Sequence, residues 1–139
     1  MRIKLLAVGT RMPAWVEQGY KEYAQRMPKL CELELVEIAA KKRGKNADTA
    51  RILRDEAQAL QDAIPSGTLI IALDRKGKHI DTEELARNMQ NWIDESQDVA
   101  ILIGGPEGLD PNYLAQVQRK WSLSAMTFAH PVVRVMLAE

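Results

Sequence analysis

The sequence predicts an α/β domain with a mostly parallel sheet and crossover helices, and three observations carry that reading. Short apolar runs alternate with longer amphipathic stretches along the whole chain, the order expected of β-α-β units. Two of those runs, Leu69–Leu73 and Val99–Ile103, contain no polar residue, the pattern of strands covered on both faces. The second run passes directly into Gly104-Gly105-Pro106-Glu107-Gly108, and ligands of open α/β sheets bind at such carboxyl ends.

The elements follow in order. Ile3–Val8 is the first strand, and Gly9-Thr10 turn it into a helix beginning near Pro13. Trp15, Val16, Tyr20 and Tyr23 recur there at helical spacing, which suits core or interface packing better than base stacking. Leu33–Ile38 alternates apolar and acidic residues, so it reads as an edge or near-edge strand with one wet face. Asp48 caps the next helix, which carries Ile52, Leu53, Ala57 and Leu60 to the Pro65-Ser66-Gly67 break. Leu69–Leu73 is a central strand ending at Asp74, and Arg75–Lys78 form a charged turn containing Gly77. Asp81, with Glu84 three residues later, gives a capping-box-like start to the helix bearing Leu85, Met89, Trp92 and Ile93. After Val99–Ile103 the two glycines remove side chains from the strand end, Pro106 stiffens the turn, and Gly108 suits a positive φ. Asp110 and Pro111 open a helix running through Leu114, Val117 and Gln118 to about Lys120. Trp121–Phe128 holds no charge and is too irregular for an exposed strand, so it reads as a buried loop that forms part of a pocket. A final apolar helix follows from Pro131.

Composition bounds the function. The 139 residues make one domain, spanning 1–139, small for an enzyme that grips a large assembly, so oligomerisation would help. Lys plus Arg and Asp plus Glu are equal at 19 each, which confines any nucleic-acid contact to local patches. The best such patch is residues 41–54, with six basic side chains against one acidic, Asp48. Gly44 lets the loop bend to present Arg43 and Lys45 together, and Arg51 follows in the helix; the competing reading is a solvated charged loop. The single cysteine, Cys31, excludes an internal disulfide and fits a reduced, semi-buried thiol in a cytoplasmic protein. His79 and His130 have no neighbouring ligands at metal spacing, so no metal is expected. No signal peptide precedes Arg2, and no apolar run approaches the roughly 20 residues that cross a bilayer.

At this point whole segments are recognisable. The opening RIKLLAVGTRMPAW, the central RGKNAD, the turn IGGPEGL and the closing WSLSAMTFAHPVVRV closely resemble the ribosomal RNA large subunit methyltransferase H family, within the SPOUT class. The likeness runs in order from the first strand to the last residue. It implies a C-terminal trefoil knot, a homodimer whose two chains form the substrate site together, and S-adenosylmethionine as cofactor. It implies methyl transfer to N3 of a pseudouridine in the helix 69 loop of 23S rRNA in the assembled ribosome. It also implies that Leu73, Gly105, Leu123, Ser124, Ala125, Met126, Thr127 and Phe128 surround the cofactor; in the residues alone, Leu73 reads equally well as core.

No catalytic residue is assigned. Glu107 is a candidate pocket carboxylate, against the plainer reading of a solvated turn residue. Arg134, one turn into the final helix, is a candidate for contact with substrate phosphate or base, since a guanidinium keeps its charge at any working pH. His130, followed by Pro131 at a helix start, reads as a packing or capping residue rather than a general base. The chain departs from the family at its end, where members continue with a polar tail. Val132, Val133, Val135, Met136 and Leu137 make a nearly all-apolar helix closing on Glu139, whose charge is disfavoured by about 0.3–1 kcal/mol near a helix C-terminus. The expectation is a missing tail; if it is truly absent, the knot is incomplete, and acceptor binding and catalysis are in question even where the cofactor cleft survives. Two other readings stand beside the methyltransferase. One is a non-catalytic RNA- or ribosome-binding protein. The other is a phosphate-binding enzyme using the glycine turn, against which the turn lacks the Lys-Ser/Thr of a P-loop and the spacing of a dinucleotide fold.

Overall fold

The computed structural model describes residues 1–42, 44 and 48–139. Among the described residues ten elements alternate: β1 (Arg2–Val8), α1 (Ala14–Ala24), β2 (Glu32–Ile38), α2 (Thr49–Asp62), β3 (Leu69–His79), α3 (Thr82–Asp94), β4 (Val99–Ile103), α4 (Pro111–Gln116), β5 (Arg119–Ser122) and α5 (His130–Ala138). The strands form one sheet in the order β2-β1-β4-β3-β5, every neighbouring pair parallel. All five carboxyl ends therefore lie along one edge of the sheet, and β2 takes the edge position its alternation predicts.

The period of two along each strand explains the apolar runs. In β4, Val99 and Ile101 pack in one core with Tyr20 of α1, Trp92 of α3 and Ala138 of α5. Ala100 and Leu102 point the other way, against Leu60 of α2 and Tyr113 of α4. Helices thus cover both faces, and a strand between them has no wet side. Three helices start where the sequence places an aspartate. The carboxylates of Asp48, Asp81 and Asp110 accept from the backbone N–H of Arg51, Glu84 and Tyr113 at 3.2, 2.7 and 3.2 Å. Glu84 does not complete the capping box; its carboxylate pairs with Lys78 instead. No described helix is long and apolar enough to cross a membrane.

Three sequence expectations are corrected. The strand from Leu69 does not stop at Asp74 but continues to His79, so Arg75–Lys78 is not a free turn. The register slips there instead, because Leu73 and Lys78 both pair with Trp121 and the residues between them bulge out of the ladder. The helix from Pro111 ends at Gln116 rather than near Lys120, since Val117 turns to an extended conformation and Arg119–Ser122 joins the sheet as β5. The segment Trp121–Phe128 is accordingly not one buried loop. Trp121 and Ser122 are buried strand residues, whereas Met126 is 70 % exposed. Trp121 stacks on Trp92 with ring centroids 5.9 Å apart, which locks β5 onto α3. Of the α1 aromatics, Tyr20 is buried and Trp15 stands 57 % exposed. Cys31 is fully buried, and burial pushes its thiol up, away from reactive thiolate.

Tyr20 offers a test of this packing. Its hydroxyl is buried with no hydrogen-bond partner among the described residues. Burial, followed by the nearby Glu34 carboxylate, pushes the phenol from 10.0 up to about 12. Because the folded value lies above the unfolded one, this contribution is fully present below pH 10 and is lost as pH rises toward 12. Tyr20→Phe should therefore flatten the alkaline loss of stability. At neutral pH it should be neutral or stabilising, since an unsatisfied buried polar group costs about 1–3 kcal/mol. Denaturant unfolding of both proteins on either side of pH 10 checks the sign; equal alkaline slopes would remove Tyr20 from this role.

Candidate functional site

Parallel strands bring every β-to-α connection out on one edge, and a cleft of about 860 Å³ opens there at the carboxyl ends of β3 and β4. Its walls come from three segments distant in sequence. One runs from Ile103 at the end of β4 through the glycine turn to Leu114 in α4; the second is Leu73 with the bulge of β3; the third runs from Trp121 in β5 to Val133 in α5.

The glycine turn is closed on itself. Gly105 and Gly108 form an antiparallel bridge, with the Gly108 N–H donating to the Gly105 carbonyl at 3.0 Å. Gly108 has a φ of 77°, as its place in the turn predicts. A Cβ at Gly104 would meet the backbone of Gly108 at 2.5 Å, so the first glycine serves the tightness of the turn. Gly105 lines the cleft with its backbone. The opposite loop is organised by two serines. The Ser122 hydroxyl donates to the Ser124 carbonyl at 2.9 Å, and the Ser124 hydroxyl accepts from the Met126 N–H at 3.0 Å. Backbone groups that the end of β5 leaves unpaired are satisfied in this way.

Of the sequence-predicted cofactor residues, Leu73, Gly105, Leu123, Ser124, Met126, Thr127 and Phe128 all line this cleft, and Ala125 does not. Leu73 and Gly105 both line this cleft, from the carboxyl ends of adjacent strands. Glu107 also lines it, on the exposed rim. Arg134 does not. Its guanidinium is 1 % exposed and faces inward, donating to the Glu37 carboxylate at 2.7 Å and the Gly9 carbonyl at 2.8 Å. The expectation of a substrate-facing cation at Arg134 is corrected on this point: the partner that draws it inside lies 97 residues away.

Of the basic segment, Arg43 and Lys45 lie outside the described residues, while Arg51 is exposed on α2, apart from the cleft. Lys41 is held at the start of that segment by its backbone N–H, which donates to the buried Glu56 carboxylate at 3.1 Å. Sequence reasoning missed Asp74, Arg75 and Lys76, which the bulge brings to the cleft rim, and Leu109, Leu114 and Val133, which give it apolar walls. The signal for the first three was present but misread, because a charged stretch with one glycine looks the same in a turn and in a bulge. Among the described residues, no three His, Cys, Asp or Glu side chains stand together as a metal site.

The cleft couples apolar walls to a tight glycine turn and a serine-organised loop, a combination that suits a flat heterocycle with a polar edge. The whole chain, residues 1–139, matches the family model described as Predicted SPOUT methyltransferase. The chain therefore belongs to the SPOUT methyltransferase family, enzymes that transfer methyl groups from S-adenosylmethionine to RNA.

Proposed function

We propose that this protein methylates N3 of a pseudouridine in the helix 69 loop of 23S rRNA, acting in the cytoplasm as a homodimer on the assembled ribosome. The observation that carries the reading is the convergence of the glycine turn and the Leu123–Phe128 loop on one cleft, the two segments that bear the resemblance to the methyltransferase H family.

The residues present fit S-adenosylmethionine. Leu73, Ile103, Leu123 and Val133 offer apolar surface to an adenine face, and the Gly105 backbone allows close approach without a side chain between. Asp74 and Glu107 put carboxylates on the rim, where a sulfonium is favoured electrostatically. When bound, the cofactor supplies a methyl group activated by that positive sulfur. The chain's part is to hold donor and acceptor in line and to exclude water, and orientation carries much of the rate in such a displacement. Glu107 is the candidate to draw the acceptor's N3 proton, from the rim where a base would enter.

The basic segment begins at the carboxyl end of β2, on the same sheet edge as the cleft, because all strands are parallel. Arg43, Lys45 and Arg51 are proposed to meet rRNA phosphates. Arg75 and Lys76 add two exposed cations on the cleft rim itself. Exposed Met126 and Phe128 on the cleft loop, with Trp15 and Met136, give apolar surface that a second copy would cover.

Transfer of a labelled methyl group from S-adenosylmethionine to ribosomes that lack the modification tests the proposal. Label at N3 of a helix 69 pseudouridine is expected. Label at another nucleotide, or none from a protein that binds both cofactor and ribosome, would refute the assignment, the latter leaving a binding protein. Arg51→Glu should weaken ribosome binding and reduce the salt dependence of log K by about one phosphate contact. An unchanged salt slope would place the RNA surface elsewhere.

A further inference from the structure

The cation in the interior of this domain has no part in the chemistry described so far. Arg134 is among the largest fully buried side chains of the protein, and its Nε has no hydrogen-bond partner among the described residues. Burying a charge in this way is a poor route to stability, because desolvation offsets much of the attraction to a single carboxylate. What the residue does provide is geometry. Its two terminal nitrogens reach the carboxyl ends of two strands at once, Glu37 near the end of β2 and the Gly9 carbonyl just beyond β1, across 97 and 125 residues of chain. Gly9 is itself tied to β2 by its N–H, which donates to the Ile38 carbonyl at 2.7 Å.

The other end of this linkage is the cleft. His130 lies four residues before Arg134, on the same face of α5. A methyl group on Gly9 would stand 3.4 Å from the Arg134 guanidinium and 3.5 Å from the His130 ring, so both side chains pack over the same point of the sheet edge. His130 and Val133, in the first turn of α5, line the cleft, as does Ala129, which precedes the helix. A planar fork held at two points fixes rotation as well as distance, which a flexible ammonium cannot do.

We propose that Arg134 is a positioning residue for cofactor binding: through Glu37 and the Gly9 carbonyl it sets where the first turn of α5, and the loop that leads into it, stand against the glycine turn. Arg134 touches neither donor nor acceptor. It acts by holding one cleft wall in register with the other, and Glu37, outside the cleft, is as necessary to this as the arginine. The inference rests on the methyltransferase reading for the identity of the ligand, but the clamp itself is independent of it.

The test compares wild type, Arg134→Met, Arg134→Lys and Glu37→Gln at a temperature where circular dichroism shows each to be folded. Hydrogen exchange is measured on the ligand-free proteins and S-adenosylhomocysteine is titrated by calorimetry. Arg134→Met and Glu37→Gln are both expected to deprotect amides 123–130 while those of β1 and β4 keep their protection. Both should weaken binding roughly tenfold, within the range of coupled sites, and Arg134→Lys should fall between. Unchanged exchange over 123–130 in both variants would overturn the clamp. So would a loss of affinity in Arg134→Met with none in Glu37→Gln, because the arginine would then act without its anchor. If Arg134→Met does not fold, Glu37→Gln decides alone. Failure of the wild type to bind would count against the methyltransferase reading and leave the exchange result to judge the clamp.

Discussion

Gly104→Ala is expected to destabilise the protein and abolish cofactor binding together. The added Cβ would stand 2.5 Å from the Gly108 carbonyl carbon, 2.8 Å from its oxygen and 2.8 Å from the Leu109 nitrogen. All three are backbone atoms of a turn already closed by the Gly105–Gly108 bridge, so no side chain can swing aside. Overpacking of this kind costs about 1–3 kcal/mol, and a collision with backbone belongs at the upper end. The only relief is to open the turn, which moves Gly105 and Glu107, both part of the cleft. Gly108→Ala is the informative comparison. A Cβ there meets nothing within 4 Å, but the residue must hold a φ of 77°, so the cost is a local strain of about 1–2 kcal/mol. Denaturant unfolding and cofactor titration of the two variants should rank Gly104→Ala as worse on both counts; the reverse order would mean that turn conformation, rather than close approach, is what the glycines provide.

Gly77→Ala should separate β5 from β3. Its Cβ would fall 2.7 Å from the Lys120 carbonyl carbon and oxygen and 2.9 Å from the Trp121 carbonyl carbon. The bulge of β3 lies directly on the backbone of β5 at this point, and among the described residues β5 has no other strand neighbour. Displacing a four-residue edge strand disturbs two further contacts. Trp121 loses its stacking on Trp92, and the Ser122–Ser124 hydrogen bond that starts the cleft loop loses its fixed donor. The expected cost is again about 1–3 kcal/mol, with a red shift of tryptophan emission as Trp121 meets water and a loss of cofactor affinity although Gly77 does not line the cleft. Emission and affinity both like wild type would show that the bulge can absorb a methyl group and that the β3–β5 contact is looser than its geometry implies.

How far the sequence could be read follows from where each residue's environment is decided. Val99–Ile103 and Leu69–Leu73 were legible because burial on both faces removes every polar residue, a local signature of a non-local fact. Asp48, Asp81 and Asp110 were legible because an N-cap bonds three residues ahead. Arg119–Ser122 was not. Two cations, a tryptophan and a serine show no alternation, and the segment is a strand only because β3 offers it a partner on both sides of a bulge. For Arg134 the difficulty was similar: a lone arginine on an apolar helix looks like its wettest residue until Glu37 and Gly9 are brought against it. Of the candidate site, the glycine turn and the pocket-forming segment from Trp121 to Phe128 were legible in the residues themselves and their cofactor only through resemblance to known methyltransferases, while the rim residues Asp74, Arg75 and Lys76 required the register slip that only pairing reveals.

Calorimetric titration of S-adenosylmethionine into the purified protein and into Gly105→Trp tests whether this cleft holds the cofactor. Gly105 is buried and lines the cleft together with Leu73, so an indole there is expected to fill space a ligand needs. One saturable site is expected in the wild type, lost in a variant that remains folded. Binding that survives in Gly105→Trp, or no binding by a folded wild type, would contradict the assignment of this cleft.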